Sequence, residues 1–224
     1  MGTPISRHQR REVLSSFAGG LIPIVIIFTL VTILRSVRAD FAPEIWLNLG
    51  EAPDASVFAR SEMWVAVGVL LINGCSIFVR NNRTAFLSSL AVSMAGLMLI
   101  TCTLIGLRLG LIRGFAFMVF SGLGLYLPYV AVHTTVFERL IAMTRIRANL
   151  GFLMYVADAF GYLGYVAAMI GRGLIHSSDN FLNYFQFLSW IIVGIGALCL
   201  LLTWRYFGLA RYGRNTAYAI QNET

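Results

Sequence analysis

Ile33-Leu-Arg-Ser-Val-Arg-Ala-Asp-Phe-Ala-Pro-Glu-Ile-Trp46 follows at once on an apolar run, Phe17 to Leu34. Read together, the two predict one long membrane helix from Ser16 to about Trp46. Its outer half carries Arg35, Arg38, Asp40 and Glu44. At the centre of a bilayer each such side chain costs about 2.5–3.5 kcal/mol. The charges are tolerated if the helix ends near Arg35 and they sit among headgroups. Otherwise they must face protein, water or a ligand, and the rest of the chain decides how strongly that second reading holds.

Composition sets the class. Of 224 residues, 58% are hydrophobic and only 12% charged, and the mean hydropathy is +0.77. A soluble domain is nearer about 45–50% apolar and about 25% charged, so this is an all-α integral membrane protein. All 17 basic residues are Arg, and the net charge is +7. That balance would suit nucleic acid, but the Arg residues cluster at the ends of apolar runs, where they orient helices in a membrane. No nucleic-acid partner is therefore expected; the lipid bilayer is. Cys75, Cys102 and Cys199 lie singly within apolar runs, without metal or redox spacing. No metal or other cofactor is expected.

Six apolar stretches come near the roughly 20 residues that a bilayer requires. After the first, they are Met63–Val79, Ala85–Leu107, Phe115 to about Val136, Leu150–Ile170 and Phe185–Trp204. A basic tail, 1–13, precedes the bundle at 14–208, and a second tail, 209–224, follows it. The first run is too long for a signal-peptide core and no small-residue cleavage site follows it, so it is expected to stay uncleaved. The two tails and the second–third and fourth–fifth links hold eleven Arg; the opposite links hold Arg60, Arg108, Arg113 and Arg172. The positive-inside rule then puts both termini in the cytoplasm. In the fifth span, Ala157-x-x-x-Gly161 and Gly164-x-x-x-Ala168 are spacings that let helix backbones approach closely.

Arg38-Ala-Asp40-Phe41-Ala42 is similar to an Arg-x-Asn/Asp-Phe-Ala pattern in the first helix of some organic-anion carriers. Arg80-Asn-Asn-Arg-Thr84 stands where such carriers have a basic loop, with Asn81 and Asn82 in place of its acidic residue. Together with Gly122-Leu-Gly-Leu-Tyr-Leu-Pro-Tyr129, Phe137-Glu-Arg139 and Gly151-Phe-Leu-Met-Tyr-Val-Ala-Asp158, the chain resembles the C-terminal six-helix half of a major facilitator superfamily transporter, of a bacterial branch. The resemblance implies one six-helix bundle in the bacterial inner membrane. It also implies a midplane site lined by helices one, two, four and five, and alternating access between two bundles. The second bundle would be an identical copy or a separate half, and this chain a fragment, a split-gene product or a homodimer subunit.

Helical spacing places Gly122, Tyr126, Tyr129 and His133 on one face of span four, and Gly151, Tyr155, Asp158 and Tyr162 on one face of span five. Pro128 is expected to kink span four. With Arg35, Arg38, Asp40 and Glu44, these side chains form the candidate binding set. Arg38 is the first candidate: Asp40 lies about 200° round the axis, so Arg38 needs a partner from another helix, Asp158 for example, or from a solute. A guanidinium suits bidentate carboxylate or phosphate. Asp158 or Glu44 would then couple protons. The bland alternatives are a fixed salt bridge at Asp158, a packing hydrogen bond at His133 and packing roles for the tyrosines. Membrane-protease chemistry has no partnered Ser and His and no His-Glu-x-x-His, so an enzyme is not expected. The expected function is secondary transport of a small polar or anionic solute; the alternative is a non-transporting scaffold or sensor.

Overall fold

The computed structural model describes residues 7–51, 54–139, 150–175 and 180–208. Helix α1 runs Arg7–Asp40, α2 Ala42–Asn48, α3 Ala55–Gly74, α4 Asn82–Arg108, α5 Gly114–Val130, α6 Leu150–Ile175 and α7 Phe181–Gly208. A 3-10 turn, Cys75–Phe78, closes α3, and α5 continues as a π-helical segment, Ala131–Val136. All of the helices except α2 are long and apolar enough to cross a membrane, and there are six of these among the described residues. The chain is an integral membrane protein. The links carrying Arg145 and Arg147, and the tail 209–224, lie outside the described residues; of the basic tail, α1 already takes up Arg7 onward.

Helix α1 is the centre of the bundle. Its Ile24, Ile27, Phe28, Val31, Leu34 and Val37 are all buried, and it packs on α5, α6 and α7. Small residues allow this. A Cβ on Gly161 of α6 would meet Thr32 Cγ2 at 2.7 Å, and one on Gly196 of α7 would meet Ile27 Cδ1 at 2.5 Å. Helices α4 and α5 come closer still, backbone to backbone: a Cβ on Gly124 would sit 2.8 Å from the Gly96 carbonyl oxygen. The small-residue stripe expected on the fifth span is thus what α1 packs against, with Ala157 fully buried. By contrast α3, packed chiefly on α5, and α6, packed chiefly on α1, turn most of their surface outward.

Several boundaries differ from the expected ones, and two of them bear on the site. The first helix does not continue to Trp46: it ends at Asp40, and Phe41, at φ −112° and ψ 24°, separates it from α2. Pro43 favours the break, because it lacks an N–H and its ring clashes with a carbonyl one turn earlier. It therefore suits the first turn of a new helix and not the interior of an old one. Helix α2 then ends at Gly50, whose φ of 77° lets Gly50 and Glu51 donate back to Leu47 and Trp46. The second span starts at Ala55, not Met63, so Arg60, Ser61 and Glu62 belong to the helix. Hydrophobicity marks where a span is apolar; backbone hydrogen bonding decides where its helix begins.

Pro128 does mark an irregularity. It can donate no hydrogen bond to Gly124, and three residues later the helix widens to the π segment that carries His133. Such segments are frequent at functional sites. At the start of α4, the Asn81 side chain accepts from the Arg83 and Thr84 amides, an N-cap. Arg139 donates to Asn82 Oδ1 at 2.7 Å and Arg83 to the Gly208 carbonyl at 2.9 Å, tying the ends of three spans together.

Candidate functional site

Arg35 and Arg38 are three residues apart near the end of α1, so they share a side of the helix. Helical side chains lean toward the N-terminus, and both guanidinium groups therefore reach back into the bundle against α5. Their surroundings there are different.

Arg38 is locked. It is 2% exposed, and its Nη2 donates to Glu62 Oε1 at 2.7 Å and to the Met118 carbonyl at 2.9 Å. Gly122 makes the seat: a Cβ there would lie 2.7 Å from Arg38 Nη2 and 2.8 Å from Val65 Cγ2. One side chain thereby joins α1, α3 and α5. The partner expected from another helix exists, but it is Glu62 and not Asp158. Glu62 is itself 47% exposed, which makes it a half-open carboxylate beside a buried cation.

Arg35 is open. Its Cζ stands 4.5 Å from the centre of the Tyr129 ring and 5.9 Å from that of Tyr126. Its Nε is buried without a hydrogen-bond partner, and no carboxylate of the described residues lies within salt-bridge distance. Tyr129 stacks on Phe28 at 5.4 Å and on His133 at 5.8 Å, and Phe28 also stacks on His133 at 5.6 Å. The result is a cation on a wall of three flat rings, with Tyr126 set edge-on to Tyr129 at 6.4 Å. Cation–π contact compensates part of the charge but leaves the Nε–H unused.

Asp158 and Tyr162 of α6 lie within electrostatic reach of the Tyr129 hydroxyl, as do Arg35 and Tyr126. The structure thus gathers Arg35, Tyr126, Tyr129, His133 and Asp158 into one neighbourhood formed by α1, α5 and α6. Asp158 has no ion pair or hydrogen bond among the described residues. The other candidates are elsewhere. Asp40 is exposed at the end of α1, where the Tyr165 hydroxyl is its hydrogen-bond partner. Glu44 is exposed on α2. Tyr155, 78% exposed, is on the outward part of α6, whereas Tyr162, 59% exposed, borders the Tyr129 neighbourhood. Among the described residues no three of His, Cys, Asp and Glu are placed to hold a metal ion.

Sequence reasoning passed over Glu62 and Phe28. Glu62 had a usable signal, because it is the acidic residue bordering the second apolar run on the same side as Arg38. Phe28 had none, as one aromatic residue in an apolar run looks like any other. No curated protein and no solved structure matches the chain. A family of unknown function, DUF5690, does match, across residues 2–209, and the chain belongs to that family.

Proposed function

We propose that this protein is a secondary transporter, or half of one, that carries a small polar, anionic solute across a bacterial inner membrane by alternating access. The single observation behind this reading is Arg35, a guanidinium inside a membrane bundle with aromatic contacts and no counter-ion among the described residues. Intramembrane charges without a structural partner mark solute or ion pathways, and Arg is well shaped for a carboxylate or phosphate. Arg38 also keeps a buried Nε without a partner, but its Nη2 has two acceptors, one of them the Glu62 carboxylate, and joins helices together. The eleven-to-four Arg bias orients both termini to the cytoplasm.

The chain works beside a second six-helix bundle, a copy of itself or a separate half. In support, α3 and α6 turn outward and α6 presents Tyr155 there. The reading is non-enzymatic. The scaffold alternative draws on one observation, the Arg38 clamp, in which a membrane charge joins three helices.

Proteoliposomes separate the two readings. Uptake of labelled small organic anions is expected with the wild-type chain, and Arg35→Gln is expected to lower it at least tenfold while the protein still inserts and folds. Wild-type vesicles that accumulate none of the anions above protein-free controls would leave the scaffold.

A further inference from the structure

The neighbourhood of Tyr129 holds two charges of opposite sign, neither with an ion-pair partner among the described residues. Arg35 lies over the Tyr129 ring at 4.5 Å, with its Nε buried and unsatisfied. Asp158 is one turn before Gly161, the residue at which α6 touches Thr32; Arg35 is one turn after Thr32 on α1. As the first and fifth of six spans, α1 and α6 run in the same direction. The two Cα positions are then offset along the axes by about 9 Å, six residues at about 1.5 Å each. The Arg35 side chain leans back over that gap without closing it, and no salt bridge joins the two. Asp158 nevertheless lies within electrostatic range of Tyr129, as Arg35 does.

Opposite charges this close along neighbouring helices attract each other. They still stay apart, and the Tyr129 ring lies under the Arg35 guanidinium. A simple anion at Arg35 would be repelled by Asp158, and a simple cation at Asp158 by Arg35. A solute that carries both charges satisfies both groups. It also brings no net charge into the membrane, which limits the desolvation cost of binding. The rings of Tyr126, Tyr129 and His133 suit an ammonium group as well as an apolar side chain.

We infer that the site takes a small zwitterion of amino-acid type along the Tyr129–His133 wall, its carboxylate on Arg35 and its ammonium group directed to Asp158. This rests on the reading of Arg35 as a solute-binding residue and narrows it to one chemical class. Arg35 provides the forked donor pair for the carboxylate. Asp158 provides the selectivity, by rejecting acids that lack the amine.

The test is binding to the purified full chain in detergent, read by thermal stabilisation and by calorimetric titration. Three matched series are compared: the standard L-amino acids, the same compounds without the amino group, and the same compounds without the carboxylate. At least one amino acid is expected to bind tenfold or more tightly than either truncated analogue. Asp158→Asn should remove its advantage over the desamino acid, and Arg35→Gln should abolish binding of both. Because the analogue preference is measured on the wild-type chain, it stands even if a variant fails to fold. A desamino acid that binds as tightly as its amino acid, in an Arg35-dependent way, overturns the zwitterion and keeps the anion site. Failure of all three series to bind overturns both.

Discussion

Gly122→Ala probes the seat of Arg38 directly. The added methyl carbon would lie 2.7 Å from Arg38 Nη2, 2.9 Å from its Cζ and 2.8 Å from Val65 Cγ2, against an ordinary carbon contact of about 3.5–4.0 Å. The guanidinium cannot simply retreat, since Glu62 and the Met118 carbonyl hold its Nη2 at 2.7 and 2.9 Å. Overpacking of this kind costs about 1–3 kcal/mol. The gain in helix propensity from Gly to Ala, about 1 kcal/mol, offsets part of it, so a net loss of up to about 2 kcal/mol is expected. In an Arg38→Ala background the guanidinium is gone and Val65 can shift into its space, so the same change becomes neutral or stabilising. The coupling in the double-mutant cycle should be about 1–3 kcal/mol. Reversible unfolding in mixed micelles, followed by circular dichroism, measures all four stabilities. Equal losses from Gly122→Ala in both backgrounds would refute the clamp.

Three other outcomes follow from the geometry. Glu62→Gln should cost only about 1 kcal/mol, because that carboxylate is half exposed and Met118 still holds Arg38; a loss matching that of Arg38→Ala in the same micelle assay would contradict this. Gly161→Leu should separate α6 from α1, at about 1–3 kcal/mol or more, whereas Gly171→Leu, with nothing within 4 Å of its Cβ position, should be silent; comparable yields of folded protein from both would count against the packing. Reporter fusions at Asp54 and Asn82, at opposite ends of α3, should report opposite sides of the membrane, Asn82 the cytoplasmic one, and a periplasmic signal from Asn82 would reverse the assigned topology.

Much of this architecture can be read from run lengths and residue spacing. Gly122, Tyr126 and Tyr129 do lie along the side of α5 that meets the α1 arginines, and the π segment still leaves His133 on the α1 side, against Phe28. The stripe Ala157, Gly161, Gly164 does face a neighbouring helix, because small residues in a membrane span have little other use. Periodicity says which residues share a face but not which face turns inward. Hence Asp158 and Tyr162 come within range of Tyr129 while Tyr155 stays outside. The break at Phe41 was obscured by apolar residues on both sides of Pro43. Glu62 was obscured because a hydropathy window treats a charge as the end of a span. The π segment has no local signature; it arises where a missing proline donor meets the tight Gly96–Gly124 crossing.

Arg35 and Arg38 differ in one respect that a single labelling experiment reads. With Cys75, Cys102 and Cys199 replaced by serine, Arg35→Cys is introduced and treated in native membranes with a membrane-impermeant cationic thiol reagent. If Arg35 borders a solute path, the new thiol reacts from the aqueous phase, and a bound solute that passes the analogue test slows its modification at least tenfold. A thiol that stays unmodified until the membrane is dissolved would place Arg35 away from water, and would contradict a solute site there.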